Sequence, residues 1–255
     1  MLEAYCDESA TIAGGEPLLV LVGYLADHTD WAAFSESWDR EILKKYGLPH
    51  FHAKDLRSSN SKVYRYFDFS QRRELLATSC KVIGDHIGGG AVVYMRPSDW
   101  KRNTTPGQRS RWGSAYGVCM ELLLGAFNEI VPGPQRVNVF LEDGHANADD
   151  AVNRIRNYKS DTEPMEYPEL AGPGRVFDPE HPEMKSRETK MWIGETRLVP
   201  KSAMPTQTAD LLAYLVGASL RQPIYPVFDG ILDDLLPRKP HLLSGWDRGR
   251  SRTRA

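Results

Sequence analysis

Apolar and polar positions alternate between two periods along the chain, and the changes of period mark its elements. LEAYC (2–6) and LLVLVGYLA (18–26) are short apolar runs joined by TIAGGEP, which predicts two antiparallel strands with a Gly-rich connection of hairpin size. Trp31, Phe34, Trp38 and Ile42 then recur at helical spacing up to Lys45, with Thr29 or Asp30 placed to cap. The segment PHFHAKDL (49–56) and the polar stretch RSSNSK follow. Ser70 opens a second helix whose Leu75, Leu76, Ser79, Val82 and Ile83 share one side. GGGAVVYMR predicts a strand near 91–96, KRNTTPGQRSR a basic loop, and 113–131 a helix apolar nearly all round and therefore buried.

PGPQ is a turn, RVNVFLEDG (136–144) a strand, ADDAVNRIRNYKSD an amphipathic helix, and MWIGETRLV (191–199) another strand. Pro205 opens a helix over TQTADLLAYLVGASL. The order β, β, α, α, β, α, β, α, β, α predicts an α/β fold with one mixed sheet, antiparallel at its start. Domain organisation reads as one domain over 1–236, with an inserted helical pair at about 27–90, a Pro-rich loop at about 161–190, and a basic tail over 237–255.

Composition changes this picture little. Apolar residues are 41% and charged residues 26% of 255, ordinary for a globular chain long enough to bury a core. A net charge of −2 gives no global attraction to nucleic acid, although a groove can still concentrate positive charge. Three widely spaced cysteines form neither a disulfide framework nor a zinc motif and read as core thiols. No run approaches the ~20 apolar residues of a membrane span and the start lacks a signal-peptide pattern, so the expected location is the cytoplasm, with no membrane partner.

The candidate chemistry is acidic. The first strand runs into Asp7 and Glu8, and the strand RVNVFLED runs into Glu142 and Asp143. In open α/β sheets, sites gather just outside strand ends. Side-chain alternation allows only one carboxylate of each pair on a given face. A third acid, Asp210, sits in the apolar helical stretch QTADLLAY with Gln207 and Tyr214 on its side, and an acid there must be solvated, paired or metal-bound. Three converging carboxylates require a cation, and oxygen-only ligation suits Mg²⁺ or Mn²⁺. A pair of such ions can activate water and stabilise the leaving oxygen of a phosphodiester.

YCDES near the start, the FHAKDL segment, a strand ending in an acid, and QTADLLAY near the end occur in the order that resembles the domain-of-unknown-function 3800 family, over about residues 1–221. That resemblance implies a ribonuclease-H-like fold and a metal site of Asp7, Asp143 (or Glu142) and Asp210. It also draws in His52 as a metal or proton-transfer group, with Glu8, Gln207 and Lys54 in supporting places. Ala10 departs from the family, where glycine commonly follows the acidic motif, and the insertion after the second strand departs from the simplest ribonuclease H.

Three functions fit these residues: a metal-dependent nuclease acting on DNA or RNA, a non-catalytic module of the same fold binding nucleic acid or a protein, and a phosphohydrolase of small nucleotides. Lys101, Arg102, Arg109 and Arg111, flanked by Trp100 and Trp112, add a candidate nucleic-acid surface. GGG at 88–90 does not open a helix, which excludes a dinucleotide or phosphate loop, and neither Ser9 nor Ser114 has a nucleophile-elbow setting.

Overall fold

Strands β1 (Leu2–Ala13), β2 (Glu16–Asp27), β3 (Gly89–Met95), β4 (Gln135–Glu142), β5 (Met191–Val199) and β6 (His241–Gly245) join in one sheet of order β5-β4-β1-β2-β3-β6. The computed structural model describes residues 1–13, 15–58, 61–144, 148–156, 158, 191–220 and 241–245. The expected loop at 161–190 and, apart from 241–245, the expected basic tail at 237–255 lie outside the described residues. β1, β2 and β3 are antiparallel neighbours, whereas β4 runs parallel to β1 and β5 parallel to β4. This is the ribonuclease-H-like mixed sheet expected from the sequence, with β6 added parallel to β3. β6 falls within the segment read as a basic tail.

Helices cover both faces. α1 (His28–Trp38), α2 (Phe69–His86) and α7 (Met204–Ser219) pack on one side with Val20, Val22 and Tyr24 of β2. α5 (Ala115–Ile130) and α6 (Ala148–Arg156) pack on the other with Leu21 and Leu25. A central strand buried on both faces needs no polar alternation, which explains why β2 reads as an unbroken apolar run. The helical insertion lies between β2 and β3, and its inward stripe of Trp31, Phe34, Trp38 and Ile42 is fully buried. Trp31 meets Phe34 edge-on with ring centroids 5.6 Å apart.

Several boundaries differ from expectation for local reasons. β2 continues to Asp27, so Asp27 caps α1 by accepting from the Thr29 amide at 3.0 Å, in place of Thr29 or Asp30. The end of that helix widens into a π-helical segment, Asp39–Lys44. Asp68 and Gln71 form a capping box that starts α2 ahead of Ser70. The expected basic loop is two short helices, α3 (Pro97–Asn103) and α4 (Pro106–Trp112), each with proline in its first turn. Arg109 donates to the carbonyls of Lys101 and Thr104, and Trp100 is buried, so these two residues of that candidate surface are engaged within the fold, whereas Lys101 and Arg102 are exposed.

β2 packs tightly against the Phe127 ring of α5 at Gly23. A Cβ there would stand 2.5 Å from the Phe127 ring and 2.8 Å from the Cys6 sulfur. Gly23→Ala is therefore expected to cost about 1–3 kcal/mol by overpacking, read as a lower urea midpoint. An unchanged midpoint would mean that Phe127 moves aside without cost.

Candidate functional site

The opening pair of acids does not end a strand. β1 continues to Ala13, where it turns through Gly15 at φ 80° and pairs Ala13 with Glu16. What ends beside Asp7 is the parallel pairing with β4, whose last partners are Cys6 and Leu141. Tyr5 and Phe140 oppose each other on the α7 face, their rings 4.7 Å apart. Two residues further along each strand, on that same face, come Asp7 and Glu142.

Both carboxylates are buried, Asp7 at 6% and Glu142 at 4% exposure. Asp7 Oδ1 accepts from the Glu8 amide at 2.7 Å. Glu142 Oε1 accepts from Lys201 Nζ at 2.9 Å, whereas its Oε2 is buried with no hydrogen-bond partner among the described residues. Asp143 lies one residue past the strand and is exposed, its amide bonded to Val199 O at 2.8 Å. Glu8 points to the opposite face, where the buried Tyr116 phenol donates to it; burial first, then the Glu8 charge, push that phenol up. Alternation thus splits each acidic pair, with Asp7 and Glu142 toward α7.

α7 supplies the other half. Asp210 Oδ2 accepts from the Ala53 amide at 2.8 Å and is 3.0 Å from His52 Nδ1. Gln207, one turn earlier, accepts at Oε1 from Trp38 Nε1 (3.0 Å) and the Phe51 amide (2.9 Å), and donates to Ser202 O (3.0 Å). Gln207 and Asp210 of QTAD therefore clamp the start of the FHAKDL segment, Phe51 to Ala53, onto α7. The Tyr64 hydroxyl accepts from the His52 amide at 3.4 Å. Lys54 is exposed on the 3₁₀ turn Ala53–Arg57.

The hydrogen bond to Asp210 raises the His52 pKa above its ordinary value, against the opposing effect of burial. A histidine whose folded pKa exceeds its unfolded one stabilises the fold fully below about pH 6.5, and that contribution is lost as pH rises through the folded value. His52→Gln should therefore lose most stability relative to wild type in acid, with the gap narrowing as pH rises. Urea unfolding of both proteins from pH 5.5 to 8.5 checks it; a gap independent of pH would show that His52 is neutral throughout.

Lys201, in the β5–α7 connection, was not singled out by sequence reasoning. Burial would depress its ammonium, but the hydrogen bond and charge of Glu142, followed by the charges of Asp210 and Asp7, outweigh that and hold the pKa above the ordinary value. Its position just past a strand end, where the acids also gather, was the available signal.

No group of three or more His, Cys, Asp or Glu is arranged to hold a metal among the described residues. Asp7 and Glu142 nevertheless fit a hard divalent cation in chemistry: both are carboxylates on one face, and Glu142 retains an unbonded buried oxygen. One oxygen of Asp210 is committed to His52 and Ala53.

Strand order and strand direction together make this a mixed α/β protein of ribonuclease-H-like arrangement. Among solved structures, the chain is similar to ribonuclease H2 from Pyrococcus horikoshii OT3 at 13% identity and TM-score 0.36, over 84% of this chain and 71% of that one. No protein-family model matches the chain, and no curated protein matches it. No helix among the described residues is long and apolar enough to cross a membrane.

Proposed function

We propose that this chain is a divalent-metal-dependent nuclease acting in the cytoplasm, of the kind its resemblance to the domain-of-unknown-function 3800 family implies. The observation that carries the reading is that buried Asp7 and Glu142 lie on the sheet face covered by α7, the helix whose Asp210 holds His52. Asp7 and Glu142 would hold Mg²⁺ or Mn²⁺, with Glu142 rather than Asp143 as the β4 ligand. When bound, the metal would activate water and stabilise charge on the phosphate and leaving oxygen.

The remaining work falls to the chain. Asp210 fixes the His52 ring through Nδ1, which leaves Nε2 to exchange a proton with the reacting oxygens. The raised pKa keeps that proton available near neutrality. Gln207 holds the FHAKDL segment so that His52 cannot drift from the carboxylates. Lys54, Asp143 and Glu8 take no direct part.

A nucleic acid is favoured over a small phosphate ester by the segment that leaves His52. It carries exposed Lys62 and Arg65 and an exposed Tyr66 (76%), with the Arg65 guanidinium 4.6 Å from the Tyr66 ring centroid. Cations beside an open aromatic suit a phosphate backbone and a stacked base.

The test is cleavage of labelled single- and double-stranded DNA and RNA with Mg²⁺, Mn²⁺ or chelator. Cutting that requires metal supports the reading. The lack of a three-acid cluster among the described residues favours a second reading, a binding module without turnover. Salt-dependent binding with no cutting under any condition would select it.

A further inference from the structure

Glu142 lies in a nearly closed place. Its side chain is 5% exposed and its one hydrogen-bonded partner among the described residues is Lys201, which is 48% exposed. A buried carboxylate remains ionised only beside a compensating charge. Lys201 supplies that charge, and the neighbouring Asp7 and Asp210 also attract its ammonium. One flexible, partly solvated cation is therefore the ion-pair partner of Glu142, whose other buried oxygen, Oε2, has no hydrogen-bond donor among the described residues.

We propose that Lys201 is the resident cation of this site and competes with a divalent metal for Glu142. The inference rests on the reading that Asp7 and Glu142 hold that metal. A dication against Glu142 would repel an ammonium already hydrogen-bonded to the same carboxylate. Lys201 stands outside any strand or helix, between Val199 and Met204, on a four-carbon stem with a half-exposed head, so rotation of the side chain is enough to release it. The metal site is accordingly closed by the chain's own charge in the resting protein and opens as Lys201 turns outward.

The measurement is Mn²⁺ titration of the full chain without nucleic acid, followed by the electron paramagnetic resonance signal of free Mn²⁺. Lys201→Met is expected to bind Mn²⁺ at least about tenfold more tightly than wild type, because the buried Glu142 then lacks a counter-charge. Lys201→Arg keeps the charge and should stay near wild type. Adding Glu142→Gln to Lys201→Met should remove the gain. Equal or weaker binding by Lys201→Met, or binding by neither protein, overturns the proposal.

If Lys201→Met does not fold, the wild-type chain carries the test. Acetylation of Lys201 by acetic anhydride, read by peptide mass spectrometry, should rise severalfold when Mn²⁺ is added. Lys81, paired with Asp85 on α2, should label equally with and without the ion. A Lys201 rate indifferent to Mn²⁺ overturns the proposal. Both measurements omit substrate, so a chain that cuts nothing can still pass them, and a chain that cuts can fail them.

Discussion

Gln207→Leu is expected to remove about 3 kcal/mol of stability, the combined effect of stranding two buried donors. Its Oε1 serves both Trp38 Nε1 and the Phe51 amide, and its Nε2 satisfies Ser202 O. Leucine matches the volume but accepts nothing, so the indole and the amide would be left dry in the packed layer around Trp38, Phe34 and Phe51. Trp38→Phe removes one of the stranded donors in advance. The double variant should therefore lose less than the sum of the singles, a non-additivity that separates a hydrogen-bond effect from a packing effect. Urea unfolding of the four proteins is the measurement. A Gln207→Leu loss under about 0.5 kcal/mol, the range of an ordinary surface change, would sink the argument.

Asp7→Asn should leave the fold intact and lower cleavage by at least about a thousandfold, roughly 4 kcal/mol of transition-state stabilisation. Asparagine keeps the shape and can still accept from the Glu8 amide, whereas the charge that would hold the metal is gone. Removing one of several neighbouring carboxylate charges also relieves repulsion, so the melting temperature should stay level or rise. Asp143→Asn is the paired control. That side chain is exposed past the end of β4, and its loss should change the rate less than about twofold, as for surface changes remote from a site. If Asp143→Asn abolished cutting while Asp7→Asn did not, the carboxylates would have been assigned to the wrong face.

How far this could be read from the chain depended on the range of the interaction involved. The alternation of strands and helices was legible because each element carries its own apolar period, as in the stripe from Trp31 to Ile42. The position of Asp7 within its strand was not. TIA follows polar residues and precedes two glycines, so it read as connection, whereas the long hairpin pairs it with β2. The Glu142 and Asp143 alternatives stayed open for a related reason. Alternation separates them, but only the pairing of Tyr5 with Phe140 shows which one shares a face with Asp7, and that contact spans most of the chain. Gln207 and Asp210 were visible as a helical i, i+3 pair; their partners, about 150 residues earlier, were not. Lys201 had only its place just past a strand end to mark it, and its partner Glu142 lies 59 positions earlier.

The clamp between α7 and the FHAKDL segment also sets an order of assembly. The bonds that fix Trp38, Phe51, His52 and Ala53 reach 156 to 169 positions along the chain. At about 5–20 residues per second on the ribosome, the first half of the site waits roughly ten seconds or more for the helix that completes it. Until then His52 has no Asp210, and the indole of Trp38 has no amide to receive its proton. The hydrogen-bond network of the proposed site is thus withheld from the growing polypeptide until α7 has emerged.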